Sequence, residues 1–153
     1  MKISFFVPGR IAPGGSKTGF YRHGRVIMAP ASKFTKSWMQ SVRAVAMAAY
    51  HGSPIEGAVR LCLSFRVPRP KSHWTKKTTL SKTGRQRPYP IAKPDLTKLI
   101  RSTEDALTGI LWKDDSQVVR QVTGKDYCTH QERSGVFITV EIYDGQSLHE
   151  CKK

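Results

Sequence analysis

The segment Val59–Val67, VRLCLSFRV, alternates without a break. Val59, Leu61, Leu63, Phe65 and Val67 fall on one side, with Arg60, Cys62, Ser64 and Arg66 on the other. A period of two belongs to an extended strand, and a strand with one apolar face needs apolar surface laid against it. Two segments of the chain can supply that cover. Ser32 is placed to cap a helix running to about Tyr50, stopped by Gly52 and Pro54. It carries Phe34, Trp38, Val42, Val45, Ala46 and Ala49 at three-and-four spacing. Asp95 is placed to cap a second helix that continues to Leu107 and stops at Gly109. At 100° per residue Leu96, Leu99, Ile100, Thr103, Ala106 and Leu107 share one arc. Asp95, Thr97, Lys98, Arg101, Ser102, Glu104 and Asp105 fill the opposite side. Further strands are expected at Ile3–Val7, ended by Pro8-Gly9, and over Val118, Val119 and Val122.

The 153 residues fit one domain, read as 1–153, with 26 Lys and Arg against 11 Asp and Glu for a net charge of +15. The distribution says more than the total. Residues 1–94 hold eighteen of the basic residues and one acid, Glu56, whereas residues 95–153 hold eight basic residues and ten acids. A basic body suits a polyanion bound through its phosphates, although uneven charge can also serve solubility alone. Five acids (Asp95, Glu104, Asp105, Asp114 and Asp115) lie within twenty-one residues. They would repel a polyanion unless something cationic sits between, and a divalent metal resolves that conflict. No apolar run is long enough to span a bilayer. Cys62, Cys128 and Cys151 are odd in number and widely spaced, which argues against a disulfide scaffold or structural zinc and for a reduced, cytoplasmic protein.

Two segments have the composition of phosphate-gripping elements. Residues 13–25, PGGSKTGFYRHGR, read as a loop or irregular hairpin in which Lys17, Arg22 and Arg25 alternate with aromatics. Phe20 and Tyr21 would either stack on bases or plug the core. Residues 68–93 contain four prolines, eight Lys or Arg and no acid, and keep no period. They read as a long, basic, mobile loop, in which Lys71, Lys76, Lys77, Lys82, Arg85 and Arg87 would meet DNA and His73 and Trp74 could stack on bases. The tail, 146–153, is expected to fray.

One helix cannot gather the acids around one ion, because Asp95 and Asp105 stand about 15 Å apart along its axis. Asp95 therefore needs a partner from elsewhere, and Asp114-Asp115, just before the Val118 strand, is the candidate. Such acid pairs also occur in ordinary turns.

The string Pro94-Asp95, Asp105-Ala106-Leu107, Gly109, Trp112, Asp114-Asp115, Gln117-Val118 and Lys125 resembles the RusA family of Holliday junction resolvases. The resemblance is specific over residues 93–125 and looser towards the N-terminus. It implies a small α+β domain, with a mixed β-sheet packed on one side by two main helices. It also implies a homodimer that resolves branched, four-way DNA by Mg²⁺-dependent phosphodiester hydrolysis, with Mn²⁺ able to substitute. Asp95 and Asp115, with Asp105 or Asp114, would hold the metal, and Arg101 and Lys125 would neutralise charge building on the phosphate. Three positions depart from the family pattern. Thr97 stands where an aspartate is usual, Lys98 where asparagine is, and Arg101 where a lysine is. The missing carboxylate at 97, for which Glu104 or Asp114 would have to compensate, leaves open a second reading. In it the chain is a non-catalytic basic protein that binds junctions without cutting them.

Overall fold

The structure is a computed structural model and describes residues 1–15, 17–30 and 32–143. Its elements in chain order are β1 (Lys2–Pro8), β2 (Lys17–Arg22), β3 (Arg25–Pro30), α1 (Thr35–Ala49), β4 (Val59–Val67), α2 (Lys82–Gln86), α3 (Leu96–Leu107), β5 (Val118–Tyr127) and β6 (Gly135–Ile142). Four strands form one sheet in the order β1-β6-β4-β5, and β2 and β3 form a separate hairpin. The β4–β5 pair is parallel, while β4–β6 and β1–β6 are antiparallel. The sheet is therefore mixed, as the α+β reading expected.

β4 has the bounds its alternation predicts. Val59, Leu61, Leu63 and Phe65 are buried, as are Val136, Ile138 and Val140 of β6 and Val7 of β1. Against this face lie α1, through Trp38, Val42 and Ala46, and α3, through Leu99, Ala106 and Leu107. Each fully buried side chain of this size contributes roughly 1.5–3 kcal/mol, so the shared core is the main force holding both helices on the sheet. Trp38 Nε1 donates to Thr103 Oγ1 at 3.4 Å, which joins the two helices inside that core.

Several expectations need correction. α1 begins at Thr35 rather than after Ser32, whose hydroxyl instead accepts the Phe34 N–H at 3.3 Å. Ala49, placed on its buried face, is exposed. Ser102, placed on the solvent side of α3, is fully buried, because the segment after Gly9 crosses the helix there. Ser102 Oγ donates to Ala12 O at 2.7 Å and Gly14 N–H to Lys98 O at 2.8 Å. A Cβ on Gly14 would lie 2.9 Å from the Ser102 backbone, so only glycine permits the approach. Tyr21 is 80% exposed on its hairpin and does not plug the core. The side chains of Lys17 and Phe20, and the tail 146–153, lie outside the described residues.

The 68–93 segment also has more local order than its lack of period suggested. It carries a 3₁₀ turn at Lys71–His73 and the five-residue α2, whose cap Ser81 accepts the Gly84 N–H at 3.1 Å. Elements of three and five residues are too short to leave a period. Among the described residues no helix is long and apolar enough to cross a membrane.

Candidate active site

The acids are positioned by the turn that leads α3 into β5. Gly109, at φ +80°, lets the chain reverse, and its N–H donates to Trp112 O at 2.7 Å. Trp112 is wholly buried and anchors the turn. Gln117 then clamps it from both sides. Its Oε1 accepts the N–H groups of Lys113 and Asp114 at 2.8 and 3.0 Å, and its Nε2 donates to Ile55 O and Gly57 O at 2.9 Å each. Asp114 and Gln117 make a reciprocal capping box around the short helix Asp115–Gln117. One Asp114 oxygen accepts the Ser116 N–H at 2.8 Å, and hydrogen bonding from the Ser116 hydroxyl first and from this N–H second holds its pKa below the ordinary carboxylate value. Asp114 thus serves the turn.

Asp115 is aimed back at the C-terminal end of α3. Its Oδ1 accepts a hydrogen bond from the Thr108 hydroxyl and another from Trp112 Nε1 at 3.4 Å. Glu104 and Asp105 stand nearby. Glu104 is partly buried and accepts from Gln121 Nε2 of β5 at 2.9 Å. Burial pushes its pKa up, and the Asp115 and Asp105 charges add to the rise. Asp105 is raised in the same way, by burial first and Asp115 second, with Arg101 pulling against both. Three carboxyl groups therefore feel one another at this end of the helix.

Asp95 is elsewhere. It caps the opposite end of α3 without a side-chain cap bond and pairs with Lys98 at 3.4 Å. From Asp95 to Thr108 the helix axis runs roughly 20 Å, so Asp115 of the same chain is not the partner that spacing assigned to Asp95. Lys125 comes to the Asp95 end instead, where its Nζ donates to Ala92 O and Pro94 O at 3.0 and 2.9 Å. A cleft of about 700 Å³ opens there, lined by Arg10, Phe34, Pro94, Asp95 and Lys98 among others. Arg101 lies between the two ends, its side chain against Gly15. Thr108, Gln121 and Trp112 Nε1, which fix the acids, escaped the sequence reading. A hydroxyl four residues after Glu104 and a polar residue on the helix-facing side of β5 were the available signals.

Among the described residues no three His, Cys, Asp or Glu side chains gather closely enough to enclose a metal. Magnesium, however, usually takes one or two carboxylates and keeps several waters. Glu104 and Asp105, raised by burial first and by the Asp115 charge second, are hard oxygen donors in an electrostatic setting that a divalent cation relieves. The Glu104–Asp105–Asp115 end therefore fits a largely hydrated hard cation better than the Asp95 end, where lysines supply the positive charge. Nine basic positions were expected to meet DNA. Of these Arg22, Arg25, Lys71, Lys76, Lys77, Lys82, Arg85 and Arg87 are exposed, and none is in an ion pair among the described residues.

The model of the endodeoxyribonuclease RusA family matches residues 10–141, most of the chain. The uncharacterised Bacillus subtilis protein YqaN is 33% identical over 125 residues, covering 82% of this chain and 87% of that protein. The chain belongs to the RusA endodeoxyribonuclease family.

Proposed function

We propose that this RusA-family chain is a structure-selective endonuclease that cuts four-way DNA junctions, working as a homodimer with Mg²⁺. The observation that carries the reading is the crowding of Glu104, Asp105 and Asp115 at one end of α3 in a chain whose charge is otherwise strongly basic. A divalent cation bound by Asp115 with Glu104 or Asp105 would polarise the phosphodiester and help ionise the attacking water. The chain's own groups do the rest. Thr108 and Trp112 hold the Asp115 carboxylate in one orientation, and Gln121 does the same for Glu104. Arg101, one helical turn before Asp105, offers a guanidinium to phosphate oxygens as their charge grows. Lys125, at the Asp95 end, spends two of its donors fixing the start of α3 and keeps one for a neighbouring phosphate of the DNA rather than the one at the metal. A junction is two-fold symmetric, and two matched nicks need two sites related by that axis. The cytoplasm is the compartment this reading expects.

The experiment is cleavage of an end-labelled four-way junction with Mg²⁺ by the wild type and by Asp115→Asn. Asparagine keeps an oxygen to accept from Thr108 and Trp112, so the turn survives while a ligand charge is lost. Nicking should disappear while junction binding is retained. Equal loss of binding and cleavage would make Asp115 structural. The absence of a carboxylate at Thr97 favours the second reading, a non-cutting junction binder, and a wild type that binds but never nicks in Mg²⁺ or Mn²⁺ would establish it.

A further inference from the structure

A second cleft, whose lining holds none of the acids discussed above, has a different chemistry. It measures about 780 Å³ and lies between the 68–93 segment and the end of β5, lined by Trp74, Thr79, Leu80, Arg85, Tyr127 and His130 among others. That volume is in the range of small-ligand sites. We infer that this cleft is a subsite for one unstacked nucleotide of single-stranded DNA, its base against Trp74 and its phosphate toward Arg85 and the lysines of the adjoining turn. The inference rests on the DNA-binding reading above and adds to it the nucleotide form that the basic segment selects.

Trp74 is a built platform rather than a stray surface aromatic. Its backbone N–H donates to Lys71 O at 3.0 Å, and its backbone also bridges to Leu80. The His130 ring meets Trp74 edge-on, with centroids 5.4 Å apart and planes at 84°. One indole is thus fixed without a second ring covering it face to face. Behind it His73 is 3% exposed and packs edge-on against Tyr127, and the Arg69 guanidinium lies over the Tyr127 ring, 4.3 Å from its centroid. The turn after Trp74 is closed by Thr75 N–H to Thr79 O at 2.8 Å and by a bond between the two threonine hydroxyls. That closure puts Lys76 and Lys77 at its exposed tip. No acid occurs between Glu56 and Asp95, and the two acids that adjoin the strand-side wall are already engaged, Asp126 with Arg66 at 3.7 Å and Glu132 through an oxygen that accepts the Thr129 N–H at 2.8 Å. An aromatic platform bordered by cations is the recognition chemistry of single strands, because every base has a π-face and every nucleotide a phosphate. Duplex DNA, whose bases stay stacked, cannot reach the indole this way.

The chain carries its own reporter. Trp38 and Trp112 are 2% and 0% exposed, which leaves Trp74 as the tryptophan a ligand can touch. Intrinsic fluorescence of the full chain would be titrated with an eight-residue oligothymidylate and with a blunt duplex of equal length. Anisotropy of labelled oligonucleotides would give affinities for the wild type and for Trp74→Ala and Trp74→Phe. The single strand should quench the emission and the duplex should not. Trp74→Ala should weaken single-strand binding by about 5- to 150-fold, the usual worth of one stacked base, while leaving duplex affinity unchanged. Trp74→Phe should retain part of that affinity and lose the quenching. Unquenched emission at saturation, or equal losses for single strand and duplex in Trp74→Ala, would overturn the inference. Junction nicking is read separately with Asp115→Asn, so failure here and failure of the nuclease reading are distinguishable.

Discussion

Arg69 is the pin of the basic segment, and its removal should open that segment without melting the core. Its Nη1 donates to Gly84 O at 3.0 Å and to Arg87 O at 3.1 Å, and its Nη2 reaches Pro88 O at 3.4 Å. The guanidinium also lies 4.3 Å from the Tyr127 ring centroid. Water can replace part of this in the truncated protein, so the two shorter bonds are counted at about 1 kcal/mol each and the cation–π contact at about 0.5–1 kcal/mol. The total, roughly 2.5–3 kcal/mol, would raise the open population of the segment about 70- to 150-fold. When opening is fast relative to cutting, proteolysis follows that population. Trypsin should therefore cleave Arg69→Ala after Lys71, Lys76, Lys77, Lys82 or Arg85 faster by the same factor, while the melting temperature of the core changes little. Arg69→Lys should behave similarly, because one ammonium cannot fork across carbonyls of three residues. Wild-type cleavage rates in Arg69→Ala would refute the argument and show that the segment is held by other contacts.

Replacing Lys71, Lys76, Lys77 and Lys82 with alanine should reduce the slope of log affinity against log salt on junction DNA by about 3.6, if each lysine neutralises one phosphate. An unchanged slope would mean these residues do not touch DNA. Glu104→Gln should raise the melting temperature at pH 7. Its folded pKa lies above the ordinary value of 4.5, so the folded state binds the proton more tightly, and stability falls as pH rises from that value through the raised one. The gain should vanish well below pH 4.5, and an equal gain there would point to a steric cause. Asp105→Asn should raise the Mg²⁺ concentration needed for half-maximal nicking, whereas Thr97→Asp should leave it unchanged. A lowered requirement in Thr97→Asp would move the metal to the Asp95 end.

The elements that carry the core were legible because their periods are long and regular. β4 and α3 were read with their bounds, and the Asp105–Gln117 string marked the turn that holds Asp115. Failures came from contacts between residues distant in sequence. Ser102 looks solvated in any helical projection, and only the crossing of Ala12 and Gly14 ninety residues earlier buries it. Sequence offers Asp114-Asp115 to Asp95 because one helix cannot gather its own acids and that pair precedes the next strand. A strand that follows a helix through a tight turn must start at the helix's last residues, so Asp115 reaches Glu104 and Asp105 instead. Residues 82–86 form a helix too short for any pattern to reveal.

Both ends of the basic segment are fastened to the last residues of one strand. Val67 O accepts the Cys128 N–H at 2.8 Å where the segment leaves, and Lys125 holds Ala92 O and Pro94 O where it returns. With the anchors fixed, doubling the intervening chain adds only about 0.6 kcal/mol of closure entropy. The segment is consequently interchangeable: a different length or composition can be spliced between the same two fastenings at little cost to the domain. Substrate preference can then diversify while α3 and its acids stay as they are.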